Sequence, residues 1–253
     1  MKKLFGHPES LISVQTKYCA GCGHGVIHRL IAEIVDEMGL RGRSILTNPV
    51  GCSIWADLYF DFDTVQPAHG RTPAAATGIK RVLPDHLVIC YQGDGDLAAI
   101  GTGEMIHAAN RGEKFTTIFV NNAIYGMTGG QMAPTTLIGQ TATTAPLGRD
   151  AETAGMGYPM KVPELIASLE GSRYLARGAV NNPANVRKTK AYIRKAFEAQ
   201  MAGEGFSMVE ILSPCSTNWG MDPVQAVEWL EKQMIPVYPL GEIKNTLSGA
   251  GAQ

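Results

Sequence analysis

Gly93-Asp94-Gly95-Asp96 opens the stretch that organises this chain, and Asn121-Asn122-Ala123-Ile124-Tyr125-Gly126 stands near its close at Gln131. Just before it, Leu87-Val88-Ile89-Cys90-Tyr91 is a short apolar run of the kind that forms a buried strand. A second such run, Thr116 to Val120, leads into the two asparagines. Between the runs, Met105, Ile106, Ala108 and Ala109 recur at helical spacing. The pieces make one strand–helix–strand unit, right-handed and with parallel strands. That unit sets Asp94 and Asn122 at the carboxyl ends of neighbouring strands. A carboxylate, an amide oxygen and backbone oxygens there form a hard, all-oxygen site, which suits magnesium bridging to a ligand's phosphates. The glycines let backbone N–H groups approach those phosphates, and the helix start beyond them favours anions.

At 253 residues the chain has room for one large α/β domain. With 22 basic against 23 acidic residues, charge gives no reason to expect nucleic acid or an anionic membrane as a partner. No apolar run approaches the roughly 18–20 residues of a membrane span. Met1-Lys2-Lys3-Leu4-Phe5-Gly6-His7-Pro8 has basic residues with no apolar core behind them, so it does not read as a signal peptide. The expectation is a cytoplasmic protein with reduced thiols, in which clustered cysteines point to metal or catalysis rather than disulfides.

Along the chain, residues 1–18 read as an irregular lead-in and Tyr18 to His24 as a glycine-rich turn. A helix follows, with Val26, Ile27, Leu30, Ile31, Ile34 and Val35 on one face and Gly39 at its end. Ser44 to Thr47 is a short strand, and a small-residue helix runs from Pro73 through Arg81. Met127 to Pro146 has no periodicity and reads as a functional loop. Helices are expected over Val162–Ser168 and Asn185–Met201, and strands over Tyr174–Ala179 and Phe206–Leu212. Asp222 caps a last helix to Lys232. The tail from Gly241 reads as extended or docked on a partner.

Five cysteines occur. Cys19 and Cys22 form a CxxC, while Cys52 and Cys215 each follow a strand. All four lie in turns where side chains can converge. Cys90, inside an apolar strand, reads as a small core hydrophobe. Four thiolates suit structural zinc or a 4Fe–4S cluster, and spacing does not separate the two. A thiamine enzyme nearby would favour iron, because decarboxylating a 2-oxoacid leaves electrons that a cluster can take one at a time.

The Asp94–Asn122 pair resembles the thiamine diphosphate fingerprint, GDG followed by an asparagine a few tens of residues on. That resemblance implies magnesium on Asp94, the Asn122 side chain and the Ile124 carbonyl, with Gly95, Asp96, Gly126 and Met127 lining the diphosphate. More of the chain resembles the β subunit of 2-oxoacid:ferredoxin oxidoreductases. The residues that carry this are Cys19-Ala20-Gly21-Cys22-Gly23-His24-Gly25, Val50-Gly51-Cys52-Ser53, Ala68-His69-Gly70-Arg71, the GDGD and NNAIYG stretches, Thr128-Gly129-Gly130-Gln131 and Ser213-Pro214-Cys215. The resemblance implies a thiamine diphosphate-binding α/β fold, with a largely parallel sheet and helices on both faces, as a single domain over 1–253. It implies loops at 17–25, 50–53 and 213–217 that carry a 4Fe–4S cluster on Cys19, Cys22, Cys52 and Cys215, and an extended tail from about 236. Val50, Gly51, Cys52, Ser53, Ala68, His69, Gly70 and Arg71 would contact thiamine diphosphate. His69 is the candidate for contact with the reactant, and Arg71 for orienting a carboxylate or phosphate.

The reaction so implied takes a 2-oxoacid and coenzyme A to acyl-CoA and carbon dioxide, with two electrons passed to ferredoxin. Thiamine activation needs a glutamate on a pyrimidine-binding domain, for which this chain has no room. The expected partners are therefore an α subunit that supplies it, with γ and ferredoxin-like δ subunits completing the complex. The apolar stretch Ser53 to Phe60 favours a branched-chain or aryl 2-oxoacid over 2-oxoglutarate, with 2-oxoisovalerate the nearest type. The rivals are a non-redox thiamine-dependent decarboxylase with structural zinc and a zinc-stabilised regulatory subunit.

Overall fold

A computed structural model describes residues 6–248. Seven strands form one sheet: β1 Ser44–Thr47, β2 Asp63–Val65, β3 Leu87–Gly93, β4 Thr116–Asn121, β5 Ser172–Ala179, β6 Phe206–Leu212 and β7 Gly241–Asn245. Their order is β2-β1-β3-β4-β6-β5-β7. Every neighbouring pair is parallel except β5 and β7. The helices are α1 His24–Glu37, α2 Thr72–Val82, α3 Thr102–Arg111, α4 Val162–Ile166, α5 Pro183–Met201, α6 Ser216–Trp219, α7 Pro223–Trp229 and α8 Ile235–Val237.

Parallel strands covered on both faces need near-continuous apolar runs, and β3, β4 and β6 supply them. Successive side chains go to opposite faces. Leu87, Ile89 and Tyr91 share a core with Ile27, Ile31 and Val35 of α1 and Phe197 of α5. Val88 and Cys90 share the other with Ala76 of α2 and Met105 and Ala108 of α3. Cys90 is fully buried there, as its apolar surroundings in sequence imply. The link from β1 packs on the α1 face through Ala56 and Phe60, and the link from β3 packs on the opposite face through α3. The chain thus switches direction between β1 and β3, and a crevice opens at their carboxyl ends.

Three local outcomes depart from the sequence reading. A widened helical turn, Asp96–Ile100, precedes α3. A second such turn, Leu230–Met234, carries the last helix past Lys232 into α8. Leu230, Met234 and Tyr238 pack in one cluster with Ala179 and Leu212, and a widened turn keeps residues four apart on one face. Asp63–Val65, to which the sequence reading gave no element, pairs parallel with β1. The tail from Gly241 is extended. Gly241–Asn245 pairs antiparallel with β5, and the Glu242 carboxylate accepts from the Tyr174 hydroxyl and Lys195 Nζ, both at 2.9 Å. Residues 1–5 and 249–253, parts of the expected lead-in and tail, lie outside the described residues.

One buried ionic network ties the sheet together. Arg177 on β5 donates to Glu210 on β6 at 2.5 Å and to both oxygens of Glu164 on α4 at 2.8 and 2.6 Å. Arg177 and Glu210 are fully buried. The second Glu210 oxygen accepts from Asn121 Nδ2 at 2.7 Å, at the end of β4. Removing one partner strands the other charge. Arg177→Met should cost about 3–5 kcal/mol in urea unfolding, and adding Glu210→Leu should recover most of that loss. A double variant no more stable than the single one would contradict this.

Candidate active site

β3 hands over to Asp94 and β4 to Asn122, with Gly93 paired to Val120. Asp94 Oδ2 accepts from the Ile124 N–H at 3.1 Å and the Thr135 hydroxyl at 3.0 Å, and Oδ1 accepts from Gly95 N–H at 2.9 Å. Asn122 Oδ1 accepts from the same Ile124 N–H at 3.3 Å. Two oxygen ligands expected from sequence therefore converge on one amide. The turn between them holds Ala123 at φ 57, a left-handed conformation rare outside glycine. Asn121 Oδ1 accepts from Ala123 N–H at 3.0 Å, and Thr136 Oγ1 donates to the Ala123 carbonyl at 2.7 Å, so the strain is held from both sides.

Burial pushes the Asp94 carboxyl up to about 7, against the donors from Thr135, Gly95 and Ile124. A cation beside it would restore the charged form. Among the described residues, no three His, Cys, Asp or Glu side chains gather at single-ion range. The donors available here are one carboxylate, an amide oxygen and a peptide carbonyl. Such a set fits magnesium that draws its remaining ligands from phosphates and water.

A cleft of about 280 Å³ opens over this corner. Val50, Gly51, Cys52, Ser53, His69, Gly95, Asp96, Gly126 and Met127 line it, together with Asp94, Asn122 and Ile124. Ala68, Gly70 and Arg71 are not in its wall. The Asp96 carboxylate, in that wall, takes three donors. Its Oδ1 accepts from His69 Nδ1 at 2.5 Å and Gly70 N–H at 2.7 Å, and its Oδ2 accepts from Gln92 Nε2 at 2.6 Å. Because the carboxylate accepts, His69 carries its proton on Nδ1. Arg71 pairs with Glu104 at 2.6 Å. Tyr59 and Phe60 turn into the core, while Trp55 and Leu58 face outward, so Cys52 and Ser53 are what the 52–60 stretch gives the cleft.

Of the four turn cysteines, Cys52 lines this cleft and Cys215 stands at its Gly126. A Cβ added at Gly126 would stand 3.3 Å from Cys52 Sγ and 3.5 Å from Cys215 Sγ. The Ser216 hydroxyl donates to the Ala20 carbonyl at 2.5 Å, which ties the CxxC turn to α6. Burial pushes the Cys22 thiol up to about 12 and the Cys52 thiol to about 11, and raises Cys215. Negative charge at Cys19 adds to the effect on all three, and Asp94 adds to it at Cys52 and Cys215. Thiols so placed deprotonate readily only against positive charge, which fits an iron–sulfur cluster.

Several site residues were not legible in the sequence. Thr135 comes from the long aperiodic loop, and Trp219 Nε1 donates to the Asn122 carbonyl at 3.0 Å. His24 lines the cleft with Nδ1 2.5 Å from the Tyr91 hydroxyl. Burial holds its pKa down to about 4, so the ring is neutral. The CGHG stretch marked His24, but nothing in the pattern assigned it a place.

Fold and site are those of a thiamine-binding domain. Residues 50–211 match the thiamine pyrophosphate enzymes in their C-terminal TPP binding domain. The chain is 46% identical to the ketoisovalerate oxidoreductase subunit VorA of Methanothermobacter marburgensis, over 98% of this chain and 53% of that protein. It thus spans about half the length of that relative. It is 36% identical to the 2-oxoglutarate synthase subunit KorB of Archaeoglobus fulgidus, over 86% of this chain and 76% of that protein. The solved structure of 2-oxoglutarate:ferredoxin oxidoreductase from Magnetococcus marinus with 2-oxoglutarate, coenzyme A and succinyl-CoA bound is similar at a TM-score of 0.80 and 26% identity, covering 98% of this chain and 87% of that one. The chain belongs to the thiamine pyrophosphate enzymes and, within them, to the 2-oxoacid oxidoreductase subunits.

Gly70 shows what the site demands of the backbone. It has φ +77, and a Cβ there would meet Gly101 N at 2.8 Å and Ile100 C at 2.9 Å. Gly39 has φ +65 but open space around it. Gly39→Ala should therefore cost on the order of 1 kcal/mol from conformation alone. Gly70→Ala should cost clearly more and weaken thiamine diphosphate binding, because the Asp96–Gly101 backbone must move. Equal losses in chemical denaturation would refute the close approach.

Proposed function

We propose that this chain is the thiamine diphosphate-binding β subunit of a 2-oxoacid:ferredoxin oxidoreductase that acts on a branched-chain 2-oxoacid such as 2-oxoisovalerate. The complex would convert 2-oxoacid and coenzyme A to acyl-CoA and carbon dioxide, and pass two electrons through a 4Fe–4S cluster to ferredoxin. The observation that carries this reading is the meeting of two ligand sets at one cleft. Gly126, in the cleft wall, lies against both Cys52 and Cys215, and the Asp94 charge reaches the same two thiols.

Asp94, Asn122 and the Ile124 carbonyl hold magnesium in this reading, and Gly95, Asp96, Gly126 and Met127 flank the diphosphate. Thiamine diphosphate, when bound, supplies the carbon centre that takes up the 2-oxoacid and lets carbon dioxide leave. Val50 to Ser53 and His69 bound the remaining space. Asp96 fixes the His69 tautomer, so Nε2 is the nitrogen offered to the reactant. Arg71, outside the cleft wall and paired with Glu104, would have to leave that pair to orient a carboxylate or phosphate. In this reading Cys19, Cys22, Cys52 and Cys215 hold the cluster, whose iron would offset the burial of the Cys22, Cys52 and Cys215 thiolates.

The substrate assignment is supported by the 46% identity to a ketoisovalerate oxidoreductase subunit. It is also supported by a cleft wall without lysine or arginine, which offers nothing to a second carboxylate. That wall also lacks a glutamate, in keeping with an α subunit that supplies one to the aminopyrimidine ring. The γ and δ subunits would complete the route to ferredoxin. The five free thiols fit a reducing, cytoplasmic and anaerobic setting, and no helix among the described residues is long and apolar enough to cross a membrane.

The complex purified without oxygen should be brown, bleach with dithionite, and contain thiamine diphosphate, magnesium and iron. Zinc in place of iron would sink the redox reading. Turnover should favour 2-oxoisovalerate over 2-oxoglutarate, and the reverse preference would overturn the substrate assignment. The isolated chain, given thiamine diphosphate and magnesium, should be inactive. Asp94→Asn should weaken magnesium-dependent thiamine diphosphate binding by about 100-fold or more, as loss of a direct ligand should exceed loss of an outer one. Isothermal titration measures this, and an affinity within a few-fold of wild type would remove Asp94 from the magnesium site.

A further inference from the structure

The half-buried side chain of Asn218 on α6 touches both halves of the site. Its Nδ2 donates to Cys215 Sγ at 3.3 Å and to the Gly126 carbonyl at 3.0 Å. An amide nitrogen has two hydrogens, and here each has its own acceptor. The orientation is settled by those acceptors, since a flipped amide would set its oxygen against the Gly126 carbonyl. The same short helix is anchored at two further points. Ser216 donates to the Ala20 carbonyl in the CxxC turn, and Trp219 donates to the Asn122 carbonyl. Asn218 is thus held rigidly while it grips one proposed cluster thiolate and one turn of the thiamine pocket.

We propose that Asn218 is a positioning residue that sets the reduction potential of the cluster and fixes Cys215 to the rim of the thiamine pocket. This rests on the cluster reading above. One-electron reduction of a 4Fe–4S cluster adds one negative charge, shared with its cysteine sulfurs, and requires no proton. A hydrogen bond to such a sulfur strengthens as that charge grows, so it stabilises the reduced state and raises the potential. The electron comes from oxidative decarboxylation of the 2-oxoacid and leaves to ferredoxin. The donor to Gly126 holds this sulfur at one distance from the pocket, where electron transfer must begin.

The test compares the assembled complex, purified anaerobically, as wild type, Asn218→Leu and Asn218→Asp. Redox titration followed by electron paramagnetic resonance reads the midpoint potential, and iron analysis reads cluster content. In both variants one cluster of the complex should shift to a more negative potential, further for Asp than for Leu, because a carboxylate repels the thiolate as well as failing to donate. An exchangeable proton coupled to that cluster, seen by electron–nuclear double resonance in wild type, should be lost in the Leu variant. Unchanged potentials with full iron would overturn the proposal. Loss of iron from both folded variants would also overturn it, by making Asn218 a structural residue only. Absence of iron from the wild-type complex would instead remove the cluster itself, which separates failure of that reading from failure of this one.

Discussion

Parallel pairing of β3 with β4, with Gly93 set against Val120, is the constraint on which the site depends. One residue past that pair on β3 comes Asp94, and two past it on β4 comes Asn122. Only this register lets their side chains meet at the Ile124 amide. A slip of one residue would turn every side chain of one strand to the other face. The two cores forbid it, because each claims alternate residues of both strands. A side-chain clamp also holds the far end. Gln200 of α5 accepts from Val88 N–H at 2.7 Å, and donates to the Val88 carbonyl at 3.0 Å and to Thr116 Oγ1 at 2.9 Å. The strand starts are thus fixed by a helix on one side, and the strand ends serve the cleft.

Electrostatics then explains why cofactors are part of this fold. Burial raises Asp94, Cys22, Cys52 and Cys215 together, and the charges of several of them reinforce the effect on the others. The corner is therefore one where these groups' anionic forms are suppressed. A cation placed at either ligand set favours the anionic form at the other, and that coupling is reciprocal. Neither His24 nor His28 competes for this role. Both are fully buried, and desolvation holds both pKa values down, so they remain neutral. The site asks for positive charge that the chain itself does not place there.

The strand–helix–strand unit was legible because its signals are local: two apolar runs, a helical spacing and glycines at the turns. Strands β1, β3, β4, β5 and β6 and most helices followed from the same rules, while β2 and β7 did not. Cys52 and Cys215 were legible as turn residues because each follows a strand. What sequence did not disclose depends on long-range pairing. Asp96 lines the cleft, and its carboxylate also holds His69 and Gly70, 27 and 26 residues away, a partnership that no local period encodes. The Ser53–Phe60 stretch reads as a substrate wall, yet apolar composition does not say which face turns inward, and Tyr59 and Phe60 go to the core. Gly241–Asn245 carries charged residues and reads only as extended or docked on a partner. Its strand character comes from the open edge of β5, which it covers with Glu242 and Lys244.

The long aperiodic loop is the instructive case. It has no period because it has no ladder to satisfy its backbone groups, and a buried cation takes the ladder's place. Arg149 is buried, and its guanidinium donates to the carbonyls of Pro134 at 2.9 Å, Thr136 at 2.6 Å, Gly157 at 2.8 Å and Tyr158 at 2.9 Å. Five N–H groups in a fixed fork can organise that many carbonyls at once. The loop so stapled delivers the Thr135 hydroxyl to Asp94 and the Thr136 hydroxyl to Ala123. Compensating Arg149 with carbonyl dipoles rather than a carboxylate has a further effect. A counter-ion here would bring another anion toward Asp94 and deepen the suppression of its charged form. Dipoles solvate the guanidinium without adding an anion toward Asp94, the carboxyl that a metal would bind in the cleft.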